Sequence, residues 1–306
     1  LGDRERLRLP ALRLNYRPVE ERIRDFKEAC QGFTPETARV EASRCIQCPT
    51  PPACQIACPL DNDIRGAMRE IADGNFVEAA AIYRKTSNFP ELCGRLCPDE
   101  DLCAGSCPVG RFYPELRLGP LEAFVSDQQR EEGGFPIPEL APTTGKSVAV
   151  VGCGPAGLTV AEELSKRGHG VTVFDQHHRP GGTLAYTLPR FRLPTRVVED
   201  KVAQLEAIGV EFVMETTLGK DVTIDDLFEE GYDAVFLGTG AGQESVTDVE
   251  GADLRNVYLA TDFLTRTNLD QSYLPSDQQA PIEVGQRVTI FGGGHTATDC
   301  ARTAVR

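Results

Sequence analysis

The spacing of apolar positions changes along the chain, and each change predicts a different kind of element. In the N-terminal part Val19, Ile23 and Phe26 share one helical face, which predicts a helix over residues 19 to 29. Thr34 followed by Pro35 is an N-cap with proline at the first helical position, so a helix starts there and delivers Cys45. Residues 63 to 72 and 76 to 85 carry helical periodicity on either side of Asp73-Gly74-Asn75, which predicts a helical pair. From Val148 the pattern becomes a continuous apolar run, then a helical period over residues 158 to 168, then a second apolar run ending at Asp175. Residues 197 to 208 read as a helix, 210 to 214 as a strand, and 233 to 240 as a buried strand that ends in a glycine turn. Residues 242 to 287 are mostly irregular, with a short helix over 258 to 267, and the apolar run from Val288 to Phe291 opens another strand. A stretch rich in glycine and proline, residues 131 to 145, separates the helical part from the alternating part and marks a domain boundary. Helices followed by alternating strands and helices predict an α/β chain with an N-terminal all-α domain.

The two junctions between apolar run and helix carry glycines at informative positions. After Val151 comes Gly152-Cys-Gly154-Pro155-Ala156-Gly157. The first glycine permits the tight turn, the second lets backbone approach a pyrophosphate, and the third allows close helix packing at a helix N-terminus that offers amide donors. Asp175 ends the next strand 18 residues after Gly157, where a carboxylate accepts from ribose hydroxyls. After Phe291 the pattern recurs as Gly292-Gly-Gly294-His295-Thr296-Ala297, with Ala297 at the third small position. Two such loops imply two nucleotides. The sequence stops at Arg306, inside the helix that the second loop begins, so the chain is expected to be a truncated portion of something longer, the alternative being a partner that completes the domain.

Eight of the eleven cysteines fall in Cys45-x2-Cys48-x5-Cys54-x3-Cys58-Pro and Cys93-x3-Cys97-Pro-x4-Cys103-x3-Cys107-Pro. Short cysteine spacings ending in Cys-Pro hold four-iron clusters, and these thiolates suffice for two. Structural zinc is the alternative that the count permits. Disulfides fit less well, because an odd cysteine total without a secretory leader points to a reducing, cytoplasmic setting. Cys30, Cys153 and Cys300 read as small hydrophobes, and His169, His177 and His178 as turn residues without chemistry. The net charge of −14, from 46 acids against 32 bases, disfavours nucleic acid and anionic lipid as partners. No apolar run approaches the roughly 20 residues of a membrane span. No nucleophile triad or paired-acid site stands out, so no catalytic side chain is assigned and the chemistry belongs to cofactors.

Together, the cysteine quartets, Val-Gly-Cys-Gly-Pro-Ala-Gly at 151 to 157, Pro180-Gly181-Gly182, Phe191-Arg192-Leu193-Pro194, Leu237-Gly-Thr239-Gly240-Ala241, Phe263-Leu-Thr-Arg266 and the motif at 292 to 299 give the chain a specific resemblance. It resembles the small subunit of bacterial glutamate synthase, the large subunit of NADH-dependent ferredoxin:NADP oxidoreductase and the N-terminal half of dihydropyrimidine dehydrogenase. The resemblance implies a helical domain with two [4Fe-4S] clusters over 1–140, an incomplete Rossmann-like FAD domain over 141–280, and the start of an inserted NADP(H)- or NAD(H)-binding Rossmann domain over 281–306. It implies that Gly181, Gly182, Arg192, Thr239 and Gly240 join the cofactor-binding set. It implies one cluster on Cys45, Cys48, Cys54 and Cys107, and a second on Cys58, Cys97 and Cys103 with a side-chain oxygen at the position of Glu122. Cys93 is then spare, and Glu122 as an ordinary helix acid remains the alternative. His295 departs from the asparagine common in the family. The implied function is a flavin and iron-sulfur oxidoreductase subunit passing electrons between NAD(P)H and a partner protein, as a hetero-oligomer. The alternatives are a subunit that reduces a pyrimidine-type metabolite, and an electron-transfer or scaffold subunit without nicotinamide turnover.

Overall fold

The computed structural model describes residues 2–242, 249–269, 271–274, 279 and 282–306. The chain forms two compact units, Leu1–Pro18 with Glu28–Pro136, and Val19–Lys27 with Ile137–Arg306.

In the first unit α1 (Pro35–Ala42) is capped by Thr34, whose hydroxyl accepts the Thr37 amide at 3.3 Å. Next come α2 (Ile64–Asp73) and α3 (Phe76–Tyr83), separated where Gly74 turns left-handed at φ 95 and donates its N–H to the Glu70 and Ile71 carbonyls. α4 (Pro90–Leu96) and α5 (Leu118–Gly133) complete the unit. Their apolar faces close one core around Ala38, Met68, Ile71, Tyr83, Leu121 and Val125. Cys45, Cys54, Cys58, Cys103 and Cys107 pack against that same core. The close approach of α4 to α5 depends on Gly94, where a Cβ would lie 2.3 Å from the Ala123 nitrogen and 2.7 Å from the Gly119 oxygen.

Two expectations fail in this region. The unit is not purely helical, because Asn15–Tyr16 pairs antiparallel with Cys30–Gly32. The helix expected over 19 to 29 runs only over Val19–Arg22. Beyond it the Asp25 carboxylate accepts the Lys27 amide at 3.0 Å, a local turn that competes with helical bonding, and Phe26 instead meets Phe191 with ring centroids 6.2 Å apart.

The second unit is a parallel sheet flanked by helices. Its elements are β1 (Ser147–Val151), α6 (Pro155–Lys166), β2 (Gly170–Phe174), α7 (Thr195–Ala207), β3 (Glu211–Val213) and β4 (Ala234–Leu237), with strand order β3-β2-β1-β4. Val150 lies opposite Val173 on one side and Phe236 on the other. β1 and β2 are buried on both faces, which is why their sequences are continuous apolar runs. The order reverses beside β1, so its carboxyl end opens onto the crevice where ligands of such sheets bind.

β4 is not the buried strand expected. It pairs only with β1 among the described residues, and Leu237 is 53% exposed. Of the irregular segment, residues 243–248, 270, 275–278, 280 and 281 lie outside the described residues. Within it α8 (Ala260–Asn268) forms and packs against α9 (His295–Ala304) through Phe263, Leu264 and Cys300. The run from Val288 to Phe291 makes no strand, because no neighbouring strand among the described residues offers its amides a ladder.

Candidate functional site

In the first unit a cavity is lined by Cys45, Cys48, Cys54 and Cys107, three thiols from the first quartet and one from the second. α1 delivers Cys45, and the short helix Ala53–Ile56 carries Cys54. Burial pushes the Cys45 thiol up to about 11 and the Cys54 thiol up to about 12, with the neighbouring thiolates adding to both. Buried thiols that repel one another on ionising are a donor set that a cationic centre would satisfy.

The polar residues that hold this cysteine loop are ones the sequence did not single out. Gln47 donates its side-chain N–H to the Cys45 sulfur at 3.5 Å, and Arg65 donates to the Cys48 carbonyl at 2.8 Å. Glu41 and Arg44, both buried, pair at 2.6 Å. Glu41 also accepts the amides of Leu12 at 3.1 Å and Arg117 at 3.2 Å, while Arg44 donates to the Pro114 and Glu115 carbonyls. This tie fixes the loop that carries Leu116 into the cavity wall. For Glu41 and Arg44 the sequence signal is a pair of opposite charges three residues apart at the end of α1, next to a cysteine.

The second constellation gathers around the end of α4, the turns after it and the start of α5. Cys97 and Cys103 are each raised first by burial, and both sense Glu122 and Cys58. Glu122 is 9% exposed, and its Oε1 is buried with no hydrogen-bond partner. Burial, with Glu91 and Asp99 adding, pushes its carboxyl up to about 8. A buried carboxylate oxygen without a hydrogen-bond partner near these thiols is compatible with ligation of a cluster iron. Cys93 also senses Glu122, and burial pushes it up to about 12, with its sulfur 3.9 Å from the Ser87 hydroxyl. Among the described residues no three His, Cys, Asp or Glu side chains converge on a point as a single metal ion requires. A cluster spreads its ligands over separate irons.

At the carboxyl end of β1, Gly152 has φ 104, and a Cβ there would lie 2.3 Å from the Gly238 oxygen. A Cβ on Gly157 would lie 1.8 Å from the Gly152 oxygen, so α6 packs directly on its own loop. Gly154 caps α6, ahead of Pro155 and Ala156, and a Cβ on it would meet nothing within 4 Å. The backbone there lines an open cradle at the N-terminus of α6. Gly182, at φ 50, presses on it from the other side, with a would-be Cβ 2.8 Å from the Gly154 Cα, and the Gly181 amide donates to the Cys153 carbonyl at 3.0 Å. Thr239 and Gly240 follow β4 at the same edge.

Asp175 lies at this edge but turns toward the loop. Its carboxylate accepts the Cys153 amide at 2.7 Å, the His177 amide at 2.9 Å and the His177 ring at 2.7 Å. Burial raises its carboxyl, yet the His177 and Cys153 hydrogen bonds outweigh burial and leave it below the ordinary value. Arg192 points elsewhere: its guanidinium meets Asp299 on α9 at 2.5 Å. The second loop, Gly292 to Thr296, is exposed, with φ 124 at Gly292 and a would-be Cβ there 3.4 Å from Ala297.

Residues 146–306 match the family described as pyridine nucleotide-disulphide oxidoreductase. The chain belongs to that family. Residues 22–134 match dihydropyrimidine dehydrogenase domain II, 4Fe-4S cluster. This member of the family is 36% identical over 292 residues to the glutamate synthase [NADPH] small chain of Escherichia coli, covering 95% of this chain and 61% of that one. It is 38% identical over 297 residues to the counterpart in Bacillus subtilis, covering 93% and 59%. The chain therefore spans about three fifths of the length of these relatives. A solved structure, FprA of Mycobacterium tuberculosis, overlaps 53% of this chain and 36% of its own at 25% identity and a TM-score of 0.45. The chain thus joins a 4Fe-4S domain to the Rossmann-like FAD domain of an oxidoreductase. No helix among the described residues is long and apolar enough to cross a membrane.

Proposed function

We propose that the chain is the flavin and iron-sulfur part of a subunit that passes electrons between NAD(P)H and a partner protein. The observation that carries this reading is the cavity lined by Cys45, Cys48, Cys54 and Cys107, which gathers a cluster's worth of thiols from both quartets. A second cluster takes Cys58, Cys97, Cys103 and Glu122, supported by the unpartnered Glu122 oxygen. The Gly152–Gly157 loop, with Gly181 and Gly182, holds the FAD pyrophosphate, and Asp175 steadies that loop while retaining lone pairs for a ribose hydroxyl. The loop from Gly292 through Gly294, His295, Thr296 and Ala297 takes the nicotinamide nucleotide at the start of α9.

A flavin held by the Gly152–Gly157 loop with Gly181 and Gly182 would supply the conversion between two-electron nicotinamide chemistry and one-electron iron-sulfur chemistry. The protein's own part is placement. Gln47 donates to the Cys45 sulfur, which would draw that centre's potential upward. Glu122 supplies an oxygen in place of a fourth thiolate, which gives the second centre a different potential from the first. The partner is proposed as a larger synthase-like subunit, by likeness to proteins named as small chains. The many free cysteines fit a reducing, cytoplasmic setting.

The test is anaerobic purification of the full-length protein. Two clusters predict about eight irons and eight sulfides per chain, with flavin absorbance bleached by NADPH or NADH. Zinc in place of iron, or a flavin that neither nucleotide bleaches, would overturn this reading.

A further inference from the structure

Arg192 and Phe191 sit on a segment that touches the first glycine loop and the helix that follows the second. The segment begins at Gly181 and Gly182 against the first loop and ends at Leu193, before α7. Ten residues after Gly182, the Arg192 guanidinium meets the Asp299 carboxylate at 2.5 Å, a contact across 107 residues of sequence. The Asp299 side chain is 4% exposed and that of Arg192 is 19% exposed. A carboxylate so far removed from water on a helix whose first turn is open to solvent needs a cationic partner. One position earlier, Phe191 is 1% exposed, with the Arg302 guanidinium 4.4 Å and the Arg306 guanidinium 4.0 Å from its ring centre. The buried positions of α9 are thus Asp299, Cys300 and Thr303, whereas Gly292 to Thr296 are exposed.

We infer that Arg192 is a positioning residue for the second glycine loop: its ion pair with Asp299 clamps α9 to the segment that also closes the first loop, and so aims the amides that receive the nicotinamide nucleotide. This rests on the proposed reading of that loop as a nucleotide site. A helix transmits orientation faithfully over the roughly 7 Å between Asp299 and the loop glycines. The exposed loop has few packing contacts of its own to set its direction. A direct role for Arg192 on the flavin would leave Asp299 without a function in it, whereas the clamp assigns both.

The experiment uses the full-length protein as wild type, Arg192→Met, Asp299→Asn, the double variant and Arg192→Lys. Three quantities are read: FAD per chain, the dissociation constant for NADP+ and for NAD+ by equilibrium titration, and amide hydrogen exchange across residues 292–298 before nucleotide is added. The clamp predicts unchanged FAD per chain and a roughly tenfold weaker dissociation constant in each single variant, about 1.4 kcal/mol. It predicts no further loss in the double variant, because the pair acts as one unit. Exchange over 292–298 speeds up in all three, and Arg192→Lys, which keeps the charge, regains most of both. FAD lost in Arg192→Met but kept in Asp299→Asn, a hundredfold additive loss in the double variant, or unchanged exchange would each overturn the clamp. Should the Met variant not fold, Asp299→Asn alone decides, since wild-type affinity and exchange in it contradict the inference. If wild type binds neither nucleotide, the proposed function fails, and the exchange data still confirm or overturn the clamp of α9.

Discussion

Single atoms decide what each glycine and each acid of these sites can be. Gly154 and Gly157 belong to one motif, yet a Cβ at 154 meets no protein atom within 4 Å, whereas one at 157 runs into the Gly152 carbonyl. Gly154→Val should therefore leave the melting temperature of the apoprotein unchanged and remove FAD, because the added methyls fill the pyrophosphate path. Gly157→Ala should instead cost the fold about 1–3 kcal/mol, read by denaturant unfolding of the apoprotein. Full flavin occupancy in Gly154→Val would show that the cradle is misassigned. Glu122 separates two ligand sets in the same way. Because its Oε1 is buried without a partner, Glu122→Ala should drop iron from about eight toward about four per chain, while Cys93→Ala should retain about eight. An intact pair of clusters in Glu122→Ala with one lost in Cys93→Ala would put Cys93 in the ligand set instead.

Elements place these atoms through a few close crossings. α4 and α5 approach at Gly94 and Gly119, and the crossing sets Glu122 on α5 near Cys93 of α4 and Cys97 just after it. The Gly119 amide donates to Asp99 at 2.8 Å, and Arg95, between Cys93 and Cys97, reaches Glu28 at 2.8 Å and Asp127 at 2.5 Å. Gly94→Val should force the helices apart, with a destabilisation of about 1–3 kcal/mol from overpacking. The same variant should lose the second cluster and keep the first, which iron content with redox-titrated EPR would show. Retention of both signals would mean that the crossing does not position Glu122.

In the whole molecule, each unit has its own core, and the cysteines of the two quartets pack against that of the first. If these partly buried thiols hold a cluster, its binding free energy is also folding free energy of the first unit. Stripping iron anaerobically should therefore speed amide exchange across residues 35–133. Exchange in β1 and β2 should stay slow as long as FAD is retained. Equal acceleration in both sets would show that the clusters support the sheet as well.

The sequence by itself determined the elements whose signals are local. The Thr34 cap, the break at Gly74 and the continuous apolar runs of β1 and β2 appear in the structure as their residues imply, because caps, left-handed turns and twice-buried strands depend on near neighbours. The grouping of Cys45, Cys48 and Cys54 with Cys107 comes from the family resemblance and not from spacing, and the four line one cavity. Only the tertiary structure decided the rest. Residues 23 to 29 carried a helical pattern, but Phe26 found Phe191 and left the helix. Asp175 kept its place at the end of β2, yet its carboxylate turned to the loop amide and to His177. Arg192 met Asp299 from 107 positions away, and no local pattern records a partner at that distance. Periodicity reports which face of an element is buried, whereas the partner of a buried charge or ring is set by how distant elements cross.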